Sequence, residues 1–262
     1  YHRVAPTYGH VGPNIFAYAG KHLVERIGMI EGAQVLDIAA GRGANLFPAA
    51  EMAGPQGQVV GIDLAEGMVQ ETRAEIERRK LHNATMLQMG AEHLIFPEDS
   101  FDYVLCGFAI FLFPSLEQTL SEFFRVLRPG GKLGITVAQD LDALSQWYGR
   151  HITEYHMRYQ FLLRAGGGNG GNYSELPQYL INAGFKQVQV LYEQADFVYA
   201  DAEEWWNSRW SHGPRYALEQ MTPKVLAQFR AEVFAKLAQE AHSNGIHETL
   251  RIQYILADTG NL

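Results

Sequence analysis

From position 33 onward, short apolar runs alternate with stretches whose apolar residues recur three and four positions apart. The runs predict buried strands, and the spaced pattern predicts amphipathic helices. The predicted strands cover 33–38, 58–62, 84–89, 101–106 and 132–137, and the helices between them cover 44–53, 66–80 and 115–127. Strands that alternate with helices favour a parallel sheet that is covered on both faces.

The regular alternation ends near position 138. The remaining pattern predicts helices over 15–27, 139–164, 176–183 and 201–242, and strands over 186–192 and 249–257. Between these elements the tract 165–172 contains five glycines in eight residues, which predicts a mobile loop or hinge and suggests a lid.

A glycine-containing loop follows the first predicted strand. The strand ends at Ile38, and Gly41 and Gly43 lead into the next helix. Glycine allows a positive φ and a close approach of the backbone to a ligand, and ligands of open α/β sheets bind at the carboxyl ends of the strands. Asp63 ends the second strand, 20 residues beyond Gly43, where a carboxylate accepts hydrogen bonds from ribose hydroxyls. The pattern predicts a nucleoside site.

Two neighbouring positions indicate which kind of nucleoside the site would bind. The third glycine of a dinucleotide fingerprint falls on Leu46, which weakens a pyrophosphate site. Asp37, just before the loop, suits a cation such as the ammonium of a methionine moiety, held directly or through water. An NAD(P)-dependent oxidoreductase and a non-methylating cofactor-binding protein remain open as alternatives.

Five segments in the right order resemble a known family. Positions 35–43 resemble motif I of class I S-adenosylmethionine-dependent methyltransferases, and similar matches lie at 61–63, 101–105, 124–133 and 183–185. The branch is the type 11, ubiquinone/menaquinone-biosynthesis-like one. The resemblance implies an α/β fold: a Rossmann-like, seven-stranded, mostly parallel sheet whose last strand is antiparallel, with helices on both faces and helical inserts.

The resemblance also implies a domain organisation. We expect an N-terminal helical lid over 1–32 and a cofactor-binding domain over 33–262. Inserts at about 139–173 and 195–245 would build the acceptor pocket.

The cofactor implied is S-adenosyl-L-methionine, with S-adenosyl-L-homocysteine as the product. The residues implied to bind it are Tyr8, Asp37, Ala39, Gly41, Gly43, Asp63, Leu64, Met68, Gly90, Ala91, Glu92, Cys106 and Phe108. The chain departs from the family at two places. Gly90 stands where the family usually has an Asp, and residues 111–113 contain no histidine where the family often has one.

Methyl transfer is an in-line displacement, for which a base helps only when the acceptor must lose a proton. Histidines outside the predicted core are candidates, namely His10, His151, His156 and His212, and the first three are the tentative bases or acceptor contacts. The expected substrate pocket contains Asn14, Phe111, Trp147, Tyr155 and Trp206, whose aromatic rings suit a planar or hydrophobic acceptor methylated on O, N or C.

Composition restricts the remaining possibilities. The 262 residues carry 21 basic and 29 acidic side chains, a net charge of −8 that disfavours nucleic acid as a partner. Cys106 is the single cysteine, and no cluster of residues has metal-ligand spacing. With no apolar run of membrane-spanning length, we expect a cytoplasmic monomer or homodimer that acts on a small molecule of secondary metabolism.

Overall fold

The computed structural model describes residues 1, 4–160 and 173–260 and shows one sheet between layers of helices. The glycine tract and the suggested lid therefore lie outside the described residues. The strands are β1 (Gln34–Ile38), β2 (Gln58–Asp63), β3 (Ala84–Gln88), β4 (Phe101–Gly107), β5 (Leu127–Leu141), β6 (Lys186–Tyr199), β7 (Ala241–His242) and β8 (Gly245–Asp258). The helices are α1 (Ile15–Arg26), α2 (Leu46–Ala53), α3 (Glu66–Arg78), α4 (Leu116–Val126), α5 (Ala143–Tyr159), α6 (Leu176–Asn182), α7 (Ala202–Trp210), α8 (Arg215–Leu218) and α9 (Pro223–Glu240).

The sheet has the order β3-β2-β1-β4-β5-β8-β6, and the two-residue β7 pairs with β8. Strands β1 to β5 pair in parallel, whereas β8 is antiparallel to both of its neighbours, β5 and β6. The predicted mostly parallel sheet with an antiparallel last strand is confirmed. Because the strand order reverses at β1, the loops after β1 and β4 diverge and leave a cleft at their carboxyl ends.

Helix α1 belongs to the core of the sheet domain. Its buried side chains Ala19, Leu23 and Val24, and Ile27 directly after it, share one hydrophobic cluster with β1. Its polar side holds Glu193 of β6, whose carboxylate lies 2.6 Å from Tyr18 Oη, 2.9 Å from His22 Nδ1 and 2.8 Å from Arg26 Nη2. This packing does not fit a lid that includes α1, as expected over 1–32; of the described residues, 1 and 4–14 come before this helix.

Four helices that follow β5, namely α5, α7, α8 and α9, form a second layer, which we call the helical cap. Its core contains Leu144, Tyr148, Trp205, Phe229 and Leu237. The sequence predicts one helical stretch over 201–242, but prolines divide it, because Pro214 caps α8 and Pro223 begins α9. The cap packs on extended ends of β6 and β8, which run beyond their predicted limits to Tyr199 and from Gly245.

Candidate active site

The loop between β1 and α2 has an open, left-handed backbone. Ala39, Gly41 and Gly43 have φ angles of +52°, +53° and +82°. A Cβ atom at Gly43 would lie 2.5 Å from the Phe47 ring, whereas at Gly41 it would meet nothing nearer than 3.9 Å. The loop therefore needs glycine for its conformation and for its packing, and it leaves backbone surface facing the cleft.

Asp63 is held rigidly at the end of β2. Its Oδ2 accepts a hydrogen bond from Gly41 N at 2.9 Å, and its Oδ1 accepts one from Ala65 N at 2.8 Å. Burial raises the pKa of Asp63, and these two N–H donors oppose that rise. Each carboxylate oxygen keeps acceptor capacity beyond its backbone bond, which is the capacity that a pair of ribose hydroxyls requires.

Three neighbouring cavities occupy the cleft. The β2–β4 cavity, of about 430 Å³, is lined by Tyr8, Asp63, Leu64, Met68, Gly90, Ala91, Glu92, Phe113 and others. The glycine-loop cavity, of about 320 Å³, is lined by His10, Asn14, Ala39, Gly41, Gly43, Asn45 and others. The cap cavity, of about 210 Å³, is lined by Phe16, Ile152, Tyr148, Arg209, His212, Glu248 and others.

Phe108 lines all three cavities. It follows β4 with a φ of +49°, a strained conformation for a bulky residue, and its N–H donates to Thr136 O at 2.9 Å. Its ring meets that of Phe16 edge-on at 5.6 Å. The hydrogen bond and the ring contact offset this strain and keep Phe108 at the point where the three cavities meet.

Asp37 lies behind the cleft and lines none of the three cavities. Its side chain is completely buried, its Oδ1 accepts from Asn45 Nδ2 at 2.9 Å, and burial raises its pKa to about 7. Asp37 is therefore not placed for a direct contact with a ligand in these cavities, whereas its partner Asn45 lines the glycine-loop cavity. Sequence reasoning missed Asn45, although an Asn directly before an apolar helix is a recognisable signal.

The side chain of Cys106 does not line the cleft either. It sits in the sheet between Ile38 of β1 and Ile135 of β5, with no exposed surface, and burial raises the pKa of its thiol. Side chains alternate between the two faces of a strand, so Cys106 packs in the core. Gly107 and Phe108, the next two residues, line the cavities instead.

The aromatic residues expected to wall the acceptor pocket pack elsewhere. Trp147 stacks on His151 at 4.8 Å, and Tyr155 and Trp206 lie against Phe229 inside the helical cap. Phe111 faces Tyr173 at 6.3 Å. None of Trp147, Tyr155, Trp206 and Phe111 lines any of the three cavities, because their helical faces are used to assemble the cap and the loop after β4.

Two of the three histidines named first also lie away from the cleft. His151 stacks on Phe229 at 5.2 Å, and its Nε2 lies 3.0 Å from the Glu232 carboxylate. His156 lies on the same helix, α5, and lines none of the three cavities. His10 and Asn14 line the glycine-loop cavity and not the cap cavity.

A buried ion pair lines the cap cavity instead. Arg209 Nη2 lies 2.7 Å from Glu248 Oε2 and 2.9 Å from Tyr199 Oη, and Ser145 Oγ donates to Glu248 Oε1 at 2.7 Å. Burial opposes ionisation of Glu248, but Arg209 outweighs it and lowers the pKa of that carboxyl to about 2. This pair could not be predicted from local sequence patterns, because its members lie 39 positions apart on α7 and β8.

The sheet order, the glycine loop and the fixed carboxylate at Asp63 together define the class I methyltransferase architecture. Residues 35–131 match the family model described as a methyltransferase domain. Nocamycin O-methyltransferase from Saccharothrix syringae is 32% identical over 99% of this chain and 96% of its own length. The chain therefore belongs to the S-adenosylmethionine-dependent methyltransferases of the type 11 branch, and it methylates a small molecule.

Two further comparisons agree. Aklanonic acid methyltransferase DauC from Streptomyces sp. strain C5 is 41% identical over 50% of this chain and 59% of its own length. The YcgJ protein of Bacillus subtilis has a TM-score of 0.64 over 94% of this chain and all of its own, and at 18% identity it supports the fold alone. The family sets aside the oxidoreductase and the non-methylating protein that the sequence left open.

The described residues were compared with the requirements for a membrane-spanning helix and for a metal site. No helix there is both long and apolar enough to cross a membrane. In the same ranges, no three His, Cys, Asp or Glu side chains are grouped so that they would hold a metal ion.

Proposed function

We propose that this methyltransferase methylates an oxygen atom of a planar, hydrophobic small molecule held in the cap cavity. The observation that carries the proposal is the meeting of the three cavities at Phe108. A cofactor that fills the first two cavities would have its reactive centre beside the third. That arrangement is what an in-line displacement between two bound molecules requires.

The residues of the first two cavities fit S-adenosylmethionine. Asp63 offers two fixed oxygen acceptors for ribose, Gly41 leaves its Cβ position open, and Asn45 presents its amide in the glycine-loop cavity. Glu92 replaces the acid absent at Gly90, because its Oε2 lies 3.3 Å from where a Cβ of residue 90 would be. The bound cofactor supplies a methyl group on a sulfonium, whose leaving group is neutral.

The cap cavity suits a mainly apolar acceptor. Ile15, Phe16, Leu141, Ile152 and Leu250 give it apolar walls. Tyr148 Oη is buried there and has no hydrogen-bond partner among the described residues. Since buried polar groups are normally satisfied, an acceptor with an oxygen substituent would complete this site.

The names of two relatives also support a small-molecule acceptor, and one of them supports oxygen as the methylated atom. One is named as an O-methyltransferase of nocamycin and the other as a methyltransferase of aklanonic acid. A base is optional for such a reaction, because alignment of the reactants alone can contribute about 7–11 kcal/mol.

The proposal is tested with three simple probes of one shape: 2-naphthol, 2-naphthylamine and 2-naphthoic acid. Each is incubated with the enzyme and S-adenosylmethionine carrying a ¹³C-methyl group, and the product is read by NMR. We expect an O-methyl signal from an oxygen-bearing probe. Methylation of the amine alone would contradict the oxygen assignment.

A variant tests the location of the acceptor. Ala217 lines the cap cavity, so Ala217→Phe should fill it and abolish methylation of the active probe while S-adenosylhomocysteine still binds. Ala227→Phe, on the exposed side of α9, is the matched control and should keep full activity. Normal turnover by Ala217→Phe would place the acceptor elsewhere.

A further inference from the structure

His212 lies directly beyond α7 and lines the cap cavity together with Phe16 and Phe108. Its ring is edge-on to those of Phe16 and Tyr8, at 5.9 Å and 6.5 Å. The ring is half-buried, and its surface opens on the cavity in which we place the acceptor. No other histidine among the described residues lines this cavity.

The neighbouring hydroxyl fixes which nitrogen of this ring carries the proton. Ser211 Oγ donates its hydrogen to Ser208 O at 2.7 Å. Because that hydrogen is used, the contact of 3.0 Å between Ser211 Oγ and His212 Nδ1 requires Nδ1–H as the donor. The neutral ring then has its lone pair on Nε2, and no hydrogen bond from a described residue reaches Nε2.

The surroundings keep the ring neutral. Burial, and then the positive charge of Arg209, lower the pKa of His212 to about 4, while Glu248 and a hydrogen bond to the Ser208 backbone oppose them. The ring is faced by Tyr8 of the N-terminal segment, Arg209 of α7 and Glu248 of β8. At neutral pH the side chain therefore offers an unprotonated Nε2 to the cavity.

We propose that Nε2 of His212 receives the proton of the acceptor hydroxyl during methyl transfer. The role rests on the proposed O-methylation. As the acceptor oxygen forms its bond to the methyl carbon, the carbon–sulfur bond breaks and its electron pair stays on sulfur, giving neutral S-adenosylhomocysteine. The hydroxyl proton passes to Nε2, and the imidazolium returns it to water after the product leaves.

The role predicts a pH signature for His212→Gln with 2-naphthol, whose hydroxyl resembles that of Tyr in acidity. At pH 7 we expect kcat/KM to fall by about 10²–10⁴-fold. The deficit should shrink as the pH approaches ~10 and the probe ionises without help. A merely structural role would lower kcat/KM equally at every pH. His82→Gln, on an exposed loop, is the control and should match the wild type.

Two readouts besides pH dependence complete the test. The first is the ¹⁵N NMR spectrum of histidine-labelled protein bound to S-adenosylhomocysteine. The His212 signals are assigned by their loss in His212→Gln. They should show Nδ1 protonated and Nε2 unprotonated from pH 5.5 to 8. In His212→Gly, added imidazole should restore part of the activity.

Different results would contradict the role of His212 and the proposed O-methylation. Full naphthol methylation by His212→Gln at pH 7, or a proton on Nε2 in the NMR spectrum, would overturn the role of His212 alone. Methylation of 2-naphthylamine with no reaction of either oxygen-bearing probe would overturn the oxygen assignment and this role with it.

Discussion

At the residue scale, two carboxylates close to the glycine loop have opposite environments. Asp63 borders the cleft and accepts backbone N–H bonds on both oxygens. Asp37 is completely buried and reaches the cleft only through the amide of Asn45. Asp63 is therefore the ligand-facing acid, whereas Asp37 orients Asn45.

Replacing Asp63 tests the first role. Asp63→Asn should weaken binding of S-adenosylhomocysteine by at least about 10-fold, because a hydrogen bond to a charged group contributes roughly 1.5–3 kcal/mol. Calorimetry measures the dissociation constant directly. Asp99→Asn, an exposed carboxylate far from the cleft, serves as the control. Equal affinities of Asp63→Asn and the wild type would contradict the ribose assignment.

Replacing Asp37 tests the second environment in the cofactor-free protein. Burial raises the pKa of Asp37 from 3.8 to about 7, so its contribution to stability is complete below pH 3.8 and is lost as the pH rises through 7. Asp37→Asn cannot ionise. The free energy of unfolding is measured with urea for both proteins. Between pH 5 and pH 8 the difference between them should therefore shift in favour of Asp37→Asn by on the order of 1–4 kcal/mol. A constant difference between the two proteins would contradict this.

At the element scale, the cap is joined to the sheet by the buried pair of Arg209 on α7 and Glu248 on β8. Ser145 of α5 donates to the same carboxylate, so three elements meet at one charge. The pair also forms part of the cap cavity. The elements that line the cap cavity are thus joined by a single polar cluster.

Removing one charge of this cluster should destabilise the protein. Glu248→Gln leaves Arg209 buried without its partner, and we expect a loss of about 3–5 kcal/mol in the free energy of unfolding. Because Arg209 lowers the pKa of Glu248 to about 2, this contribution is present above pH 4.5 and is lost as the pH falls from 4.5 to 2. Urea unfolding at pH 7 and pH 3 measures both effects.

The control is Glu240→Gln, whose ion pair with Lys236 is on the surface. It should change stability by less than about 1 kcal/mol. If Glu248→Gln behaved like this control, the ion pair would not hold the cap in place.

The elements differ in how far the sequence predicts them. Around the glycine loop, local signals suffice, since strand, loop, helix and the acid at Asp63 follow one another along the chain. The cap depends on contacts between distant positions, such as 209 with 248. Sequence periodicity identifies its apolar residues but not which of them face a cavity. Of the aromatic residues of the two inserts, Tyr148 therefore lines the cap cavity, whereas Trp147 and Trp206 do not.

At the scale of the whole molecule, the cleft opens where the strand order reverses at β1. The helical cap covers the part of the cleft beside β5 and β8. Phe108 stands between the cleft and the cap, in contact with all three cavities. The parallel half of the sheet thus carries the cofactor site common to the family. The antiparallel edge, extended by β6 and β8, carries the helical cap and the cavity in which we propose that the acceptor binds.

The most direct test of this arrangement is a crystal structure of the enzyme with S-adenosylhomocysteine and the O-methylated form of the active probe. The account predicts ribose on Asp63, sulfur beside Phe108, and the probe in the cap cavity with its oxygen facing His212 Nε2. A sulfur atom directed away from Phe108, or a probe bound outside the cap cavity, would contradict it.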